Sequence, residues 1–144
     1  IRRVVTEFPD VRLIYPVHLN PAVLKIAKAE LGDCDQIRMI EPLDVIDFHN
    51  LLARCYFILT DSGGIQEEAT YLGKPVLVLR EKTERPEGIN AGTLKLIGTS
   101  EESIYRNFKM LLEDAAMYSN MSNVSTLYGD GFACQRIADI ICAE

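Results

Sequence analysis

Between Tyr56 and Arg85 the chain runs through an apolar stretch, a turn of small residues, a helix-patterned segment, a second apolar stretch and a charged loop. That order is one βαβ unit. It constrains the fold more than any other part of the sequence, because parallel strands joined through a helix need a sheet covered on both faces. Tyr56 to Leu59 supplies the first strand and Pro75 to Leu79 the second. Thr60-Asp61-Ser62-Gly63-Gly64 turns the backbone, Ile65 to Leu72 carries helical spacing, and Gly73 stops the helix. Glycines at a helix start leave its free N–H groups open to an anion, and the helix dipole favours negative charge there. The turn is therefore a candidate diphosphate seat, against the plainer reading in which its glycines serve backbone geometry alone.

Helical phase separates the two carboxylates that follow. At about 100° per residue, Ile65, Ala69 and Leu72 form the predicted buried stripe, Glu68 lies on its margin, and Glu67 points the opposite way as a solvated surface charge. Glu68 sits one turn below Gly64, where a carboxylate accepts hydrogen bonds from two vicinal hydroxyls such as those of a ribose.

The rest of the chain repeats the alternation. Val11 to Tyr15, Ile37 to Ile40 and Thr93 to Ile97 read as further strands. Pro21 to Leu31 reads as a helix capped by Asn20 and stopped by Gly32, and Val45 to Arg54 as another. Thr99 and Glu102 form a capping-box pattern ahead of a helix whose buried stripe is Ile104, Phe108, Leu111 and Leu112. A polar stretch from Ser119 to Tyr128 precedes a last helix, about 131–142, with Ile137, Ile140 and Ile141 facing inward. Five strands alternating with helices predict one α/β domain over residues 1–144, a Rossmann-like open parallel sheet flanked by helices. Ile1 to Val5 reads as the end of a helix with no strand before it, so a first strand and a further domain are expected upstream.

A net charge of −6 offers no basic footprint for nucleic acid. The four cysteines, Cys34, Cys55, Cys134 and Cys142, form no C-x-x-C pair and read as buried free thiols of a reducing cytoplasm, not as a metal or disulfide framework. No apolar run approaches the roughly 18 residues of a membrane span.

Several longer runs carry a resemblance. Thr60-Asp61-Ser62-Gly63-Gly64-Ile65-Gln66-Glu67-Glu68-Ala69, Gly73-Lys74-Pro75-Val76-Leu77, Thr83-Glu84-Arg85-Pro86-Glu87-Gly88 and Ala91-Gly92-Thr93 are similar to segments of the non-hydrolysing UDP-N-acetylglucosamine 2-epimerases. So are Pro16-Val17-His18-Leu19-Asn20-Pro21 and Tyr128-Gly129-Asp130-Gly131-Phe132-Ala133, and together these runs span almost the whole chain. The resemblance implies the C-terminal half of a two-domain GT-B enzyme. Its activity would be the interconversion of UDP-N-acetylglucosamine and UDP-N-acetylmannosamine by elimination and re-addition of UDP, without redox cofactor or metal. It further implies a homodimer when full length, a cytoplasmic location, a place in cell-envelope polysaccharide synthesis, and catalytic carboxylates supplied largely by the N-terminal domain.

Carried onto this sequence, the resemblance places Ser62, Gly63, Gly64, Glu68 and Arg85 on the nucleotide and His18 on the cleft. Each has a plainer reading. His18 alone is a surface histidine in a loop bracketed by prolines. Phe48 is either an inward residue of its helix or the aromatic that packs on uracil. His49 beside it reads as exposed. Ser62 either caps the helix or donates to a phosphate, and the roles are compatible. Arg80 and Arg85 bracket a polar loop, and the match selects Arg85, held extended before Pro86, for the diphosphate. Two other readings stay open: a hydrolysing 2-epimerase or GT-B glycosyltransferase sharing the UDP seat, and a non-catalytic module that senses UDP-sugars.

Overall fold

The computed structural model describes residues 1–123 and 126–143. Its strands are β1 (Leu13–Pro16), β2 (Ile37–Ile40), β3 (Ile58–Thr60), β4 (Val76–Val78) and β5 (Leu94–Leu96). The helices before and within the central unit are α1 (Arg2–Glu7), α2 (Pro21–Leu31), α3 (Val45–Arg54) and α4 (Gly63–Tyr71). Those after it are α5 (Pro86–Asn90), α6 (Glu101–Glu113), α7 (Ala115–Met121) and α8 (Ala133–Cys142). The α/β class is as expected, but the polar loop after β4 contains the short α5, and a further helix, α7, extends into the polar stretch that begins at Ser119.

Every strand pairing is parallel, in two hydrogen-bonded groups. β1 pairs with β2, with Leu13 opposite Ile37, and β3-β4-β5 form the other group, with Ile58 opposite Val76 and Val76 opposite Leu94. The expected continuous sheet is therefore divided between β1 and β3. A cleft of about 1900 Å³ runs along the division, lined by Leu13 to Pro16 on one bank, Ile58 to Thr60 on the other, and by Ile26, Phe48 and Phe108 from the covering helices. A cleft of that size departs from the close packing of native interiors, where few voids exceed a water molecule.

Two apolar clusters cover the strands. Val4 and Val5 of α1, Phe108 and Leu111 of α6, and Met121 of α7 pack with Ile37, Leu77 and Ile97, so this cluster joins both strand groups. Leu52 of α3 and Ala69 of α4 pack with Ile58, Val76, Val78 and Leu94. β4 is central to its group and is buried at all three positions, so its side chains alternate between the two clusters.

Local signals fix several helix ends. The Asn20 side chain accepts from the Ala22 N–H at 2.9 Å, with Pro21 at the first helical position. Gly73 has φ +64°; its N–H bonds to Thr70 O at 3.1 Å and that of Lys74 to Ala69 O at 2.9 Å, a Schellman stop for α4. The cap of α6 is Ser100, not Thr99: its hydroxyl accepts from the Ser103 N–H at 3.3 Å, one residue later than the capping-box pattern predicted. Another correction concerns α8, where Ile137, Ile140 and Ile141 are 56, 71 and 68% exposed instead of facing inward. Their spacing is that of an apolar helix face, but this face packs on neither cluster. Cys134 and Cys142 on the same helix are also exposed, so the expectation of buried thiols fails for them, and Cys34 and Cys55 are only half-buried.

Candidate nucleotide site

The βα turn sits at the carboxyl end of β3, the usual ligand side of a parallel sheet. Ser62 is the N-cap of α4 by backbone position, yet its hydroxyl makes no cap hydrogen bond. That leaves the Ser62 hydroxyl to donate to an acceptor outside the helix. Gly63 and Gly64 form the first helical positions, and neither has positive φ. A Cβ on Gly64 would meet nothing within 4 Å, so nothing in the protein backbone or side chains requires glycine there. A Cβ on Gly63 would stand 3.7 Å from Arg85 Nη2. The guanidinium thus lies directly across the turn from the helix N-terminus.

Arg85 is held from several sides. Its Nε donates to Glu67 Oε1 in a short contact, and Nη1 donates to the Glu84 carbonyl at 3.1 Å. The hydrogen bond to Glu67 raises the pKa of Arg85 above its already high ordinary value. Its backbone N–H donates to Thr83 Oγ1 at 3.1 Å, and the Thr83 hydroxyl donates to Gln66 Oε1 at 2.7 Å. Gln66 Nε2 reaches the Ser62 carbonyl at 3.1 Å. One chain of hydrogen bonds therefore ties the turn to the arginine loop. Arg80 instead pairs with Glu84 at 3.1 Å, a surface i,i+4 pair.

Glu67 is a correction. It is not a solvated charge pointing away from the site, because it pairs with Arg85 at 36% side-chain exposure. The buried face of α4 is centred on Gln66, Ala69 and Thr70, each 0% exposed, and so is rotated by about 90° from the stripe of Ile65, Ala69 and Leu72 expected from apolarity. Polar residues hold this face by pairing inward. Thr70 Oγ1 donates to Gln66 O at 2.8 Å and lies 3.3 Å from Thr93 Oγ1. Sequence reasoning missed Gln66, Thr70 and Thr93 as interior residues. The signals were the run from Thr60 to Ala69 for Gln66 and the Ala91-Gly92-Thr93 match for Thr93, with none for Thr70.

Glu68 lies on the α3 side of the helix. Its Oε2 is 3.1 Å from His49 Nε2, with both side chains about half exposed. His49 is exposed as expected, but it is partnered. Phe48 is half-buried against the Leu52 and Ile58 cluster and also lines the cleft, so both of its readings keep a structural basis. If Glu68 binds vicinal hydroxyls, Glu68→Gln in the intact protein weakens UDP binding by about 1.5–3 kcal/mol, the range for a hydrogen bond to a charged group. His49→Ala costs less, about 0.5 kcal/mol, as for an exposed pair. Isothermal titration with UDP reads both, and equal losses would contradict this ranking.

His18 stands beyond the carboxyl end of β1, exposed, with its Nδ1 accepting from the Asn20 N–H at 3.1 Å. It belongs to the other strand group, and no hydrogen bond among the described residues links it to Ser62, Glu68 or Arg85. The structure brings together Ser62, Gly63, Gly64, Glu67, Glu68 and Arg85. Phe48 lines the same cleft as Ser62, whereas His18 is not joined to that constellation. Among the described residues no group of His, Cys, Asp or Glu is placed to hold a metal, and no helix is long and apolar enough to cross a membrane.

The family profile described as UDP-N-acetylglucosamine 2-epimerase matches residues 1–142. The chain belongs to the UDP-N-acetylglucosamine 2-epimerase family. A Bacillus subtilis relative of that name is 61% identical over 139 residues, which are 96% of this chain and 37% of the relative. Among solved structures, the Staphylococcus aureus MnaA–UDP co-structure is 56% identical with a TM-score of 0.93, over 97% of this chain and 38% of that one. The Neisseria meningitidis UDP-GlcNAc 2-epimerase bound to UDP-GlcNAc is 40% identical with a TM-score of 0.93, over 99% and 38%. This member of the family therefore spans a little over a third of the length of the relatives it matches. Both structures share its α/β fold, the first in complex with UDP and the second with UDP-GlcNAc.

Proposed function

We propose that residues 1–144 form the UDP-holding half of a UDP-N-acetylglucosamine 2-epimerase, which interconverts UDP-N-acetylglucosamine and UDP-N-acetylmannosamine. The observation that carries this reading is the turn at Ser62 to Gly64, open at the helix N-terminus with Arg85 Nη2 across it. An anion placed there meets free N–H groups, the Ser62 hydroxyl and a guanidinium together. Glu68, one turn along, suits the ribose hydroxyls of the same nucleotide, and Phe48 at the cleft suits its base.

In the proposed reaction the proton on C2 of the hexose is removed as the anomeric C1–O bond breaks. UDP leaves with the bonding pair, and a 2-acetamidoglucal remains. UDP then re-adds to C1 while C2 is protonated from the opposite face. The sequence balances without oxidant or reductant. The share of this chain is to hold the leaving diphosphate, whose charge grows as the bond breaks. The remaining polypeptide supplies the groups that act on the hexose, with His18 as this chain's contribution to that side. The same reading takes the protein as cytoplasmic and dimeric, and fills the division between β1 and β3 with a parallel strand from outside residues 1–144.

The test is to incubate the intact polypeptide with UDP-N-acetylglucosamine in deuterated water and follow C2 by NMR. Deuterium at C2 of both epimers is the expected result. Free N-acetylmannosamine with UDP would identify a hydrolysing enzyme instead, and UDP binding without turnover would identify a sensing module.

A further inference from the structure

We infer that Glu67 is a positioning residue for the nucleotide diphosphate: it fixes the Arg85 guanidinium so that Nη2 faces the Gly63 turn. This rests on the proposed reading of that turn as a diphosphate seat. An arginine at the start of a short helix has a long, flexible side chain, and its fork is useful to a phosphate only if one edge is held in place. Here the guanidinium is used from two sides: Nε donates to Glu67, and Nη1 to the Glu84 carbonyl. Nη2 is left 3.7 Å from where a Gly63 Cβ would stand, without a hydrogen-bond acceptor among the described residues.

The arrangement follows from the helix. Glu67 is one turn below Gly63 on α4, as Glu68 is below Gly64, so the carboxylate that anchors the arginine and the N–H groups that would meet the phosphate share one helix. The backbone of Arg85 is fixed to that helix as well, through Thr83 and Gln66. A carboxylate beside a diphosphate seat is otherwise a liability, because it repels the ligand. Its presence is explained if geometry gained at Arg85 outweighs that repulsion.

Position and charge can be separated. Glutamine at residue 67 keeps an oxygen that accepts from Nε but removes the negative charge, whereas alanine removes both. In the intact protein, Glu67→Ala is expected to weaken UDP binding by about 3–10-fold, within the range for directly coupled side chains. Glu67→Gln is expected to bind UDP at least as tightly as the parent. Uridine, which has no phosphate, is expected to bind all three alike, and Glu67→Ala is expected to add nothing in an Arg85→Ala background. Unchanged or tighter UDP binding by Glu67→Ala would overturn the inference, since Glu67 would then be a bystander or a competitor. An equal loss for uridine, or a loss that persists without Arg85, would assign Glu67 to the fold instead. If Arg85→Ala alone leaves UDP affinity unchanged, the diphosphate seat itself is misplaced, a result that the uridine and Glu67 arms cannot mimic.

Discussion

Gly64→Val removes UDP binding from the intact protein, by about 100-fold or more, while leaving the fold in place. The space around a Gly64 Cβ is empty to 4 Å, the residue is exposed, and its φ is not positive, so the branch point of a valine meets no protein atom. What it does meet is the volume in front of the α4 N-terminus. Displacing a diphosphate from two N–H donors forfeits charged hydrogen bonds of about 1.5–3 kcal/mol each, and each 1.4 kcal/mol is tenfold in affinity. Titration with UDP, beside thermal unfolding in its absence, distinguishes the outcomes. A variant that unfolds would return the glycine to a structural role, and one that binds normally would move the nucleotide elsewhere.

Gly88→Val has the opposite outcome: the domain loses stability by about 3 kcal/mol, at the upper end of the usual range for overpacking. Gly88 is buried, and a Cβ there would lie 2.6 Å from Leu94 Cγ, closer still to its Cδ1, and 2.7 Å from Tyr128 Oη. Leu94 is 3% exposed and belongs to the cluster under α3 and α4, so it has little room to retreat. The Gly88 carbonyl also accepts from the Thr93 N–H at 3.0 Å and from its hydroxyl at 3.2 Å, so movement of α5 breaks the entry to β5. Denaturant unfolding at fixed protein concentration measures the loss. An unchanged midpoint would mean that α5 shifts freely, and Arg85 with it.

The two glycines show what could be read from the sequence. A turn of small residues between an apolar run and a helical pattern is a local signal, and signals of that kind located the turn ahead of α4, the N-cap at Asn20 and the stop at Gly73. The phase of α4 is not local. Gln66 and Thr70 are interior only because Thr83 and Thr93, 17 and 23 residues farther on, meet them with hydroxyls. Apolarity alone therefore chose the wrong face and turned Glu67 outward. Ser100 replaced Thr99 as the cap of α6 because a hydroxyl one residue along points at the first turn equally well. The isoleucines of α8 have a sound helical period, and the period says that a face is apolar without saying what covers it. Strand order is the least local property of all, so five parallel strands were legible while the division between β1 and β3 was not.

That division separates two kinds of work. Ser62, Glu67, Glu68 and Arg85 all hang on the β3-β4-β5 group or the segments that follow its strands, whereas His18 hangs on β1. Among the described residues no ladder hydrogen bond crosses between the banks, and they are joined by side-chain packing in the cluster around Val4, Phe108, Ile37 and Leu77. In the proposed reading, how tightly the nucleotide is gripped is thereby an internal property of one bank. How far His18 stands from it is a gauge set by whatever spans the gap, so the grip can evolve or be mutated without resetting the gauge.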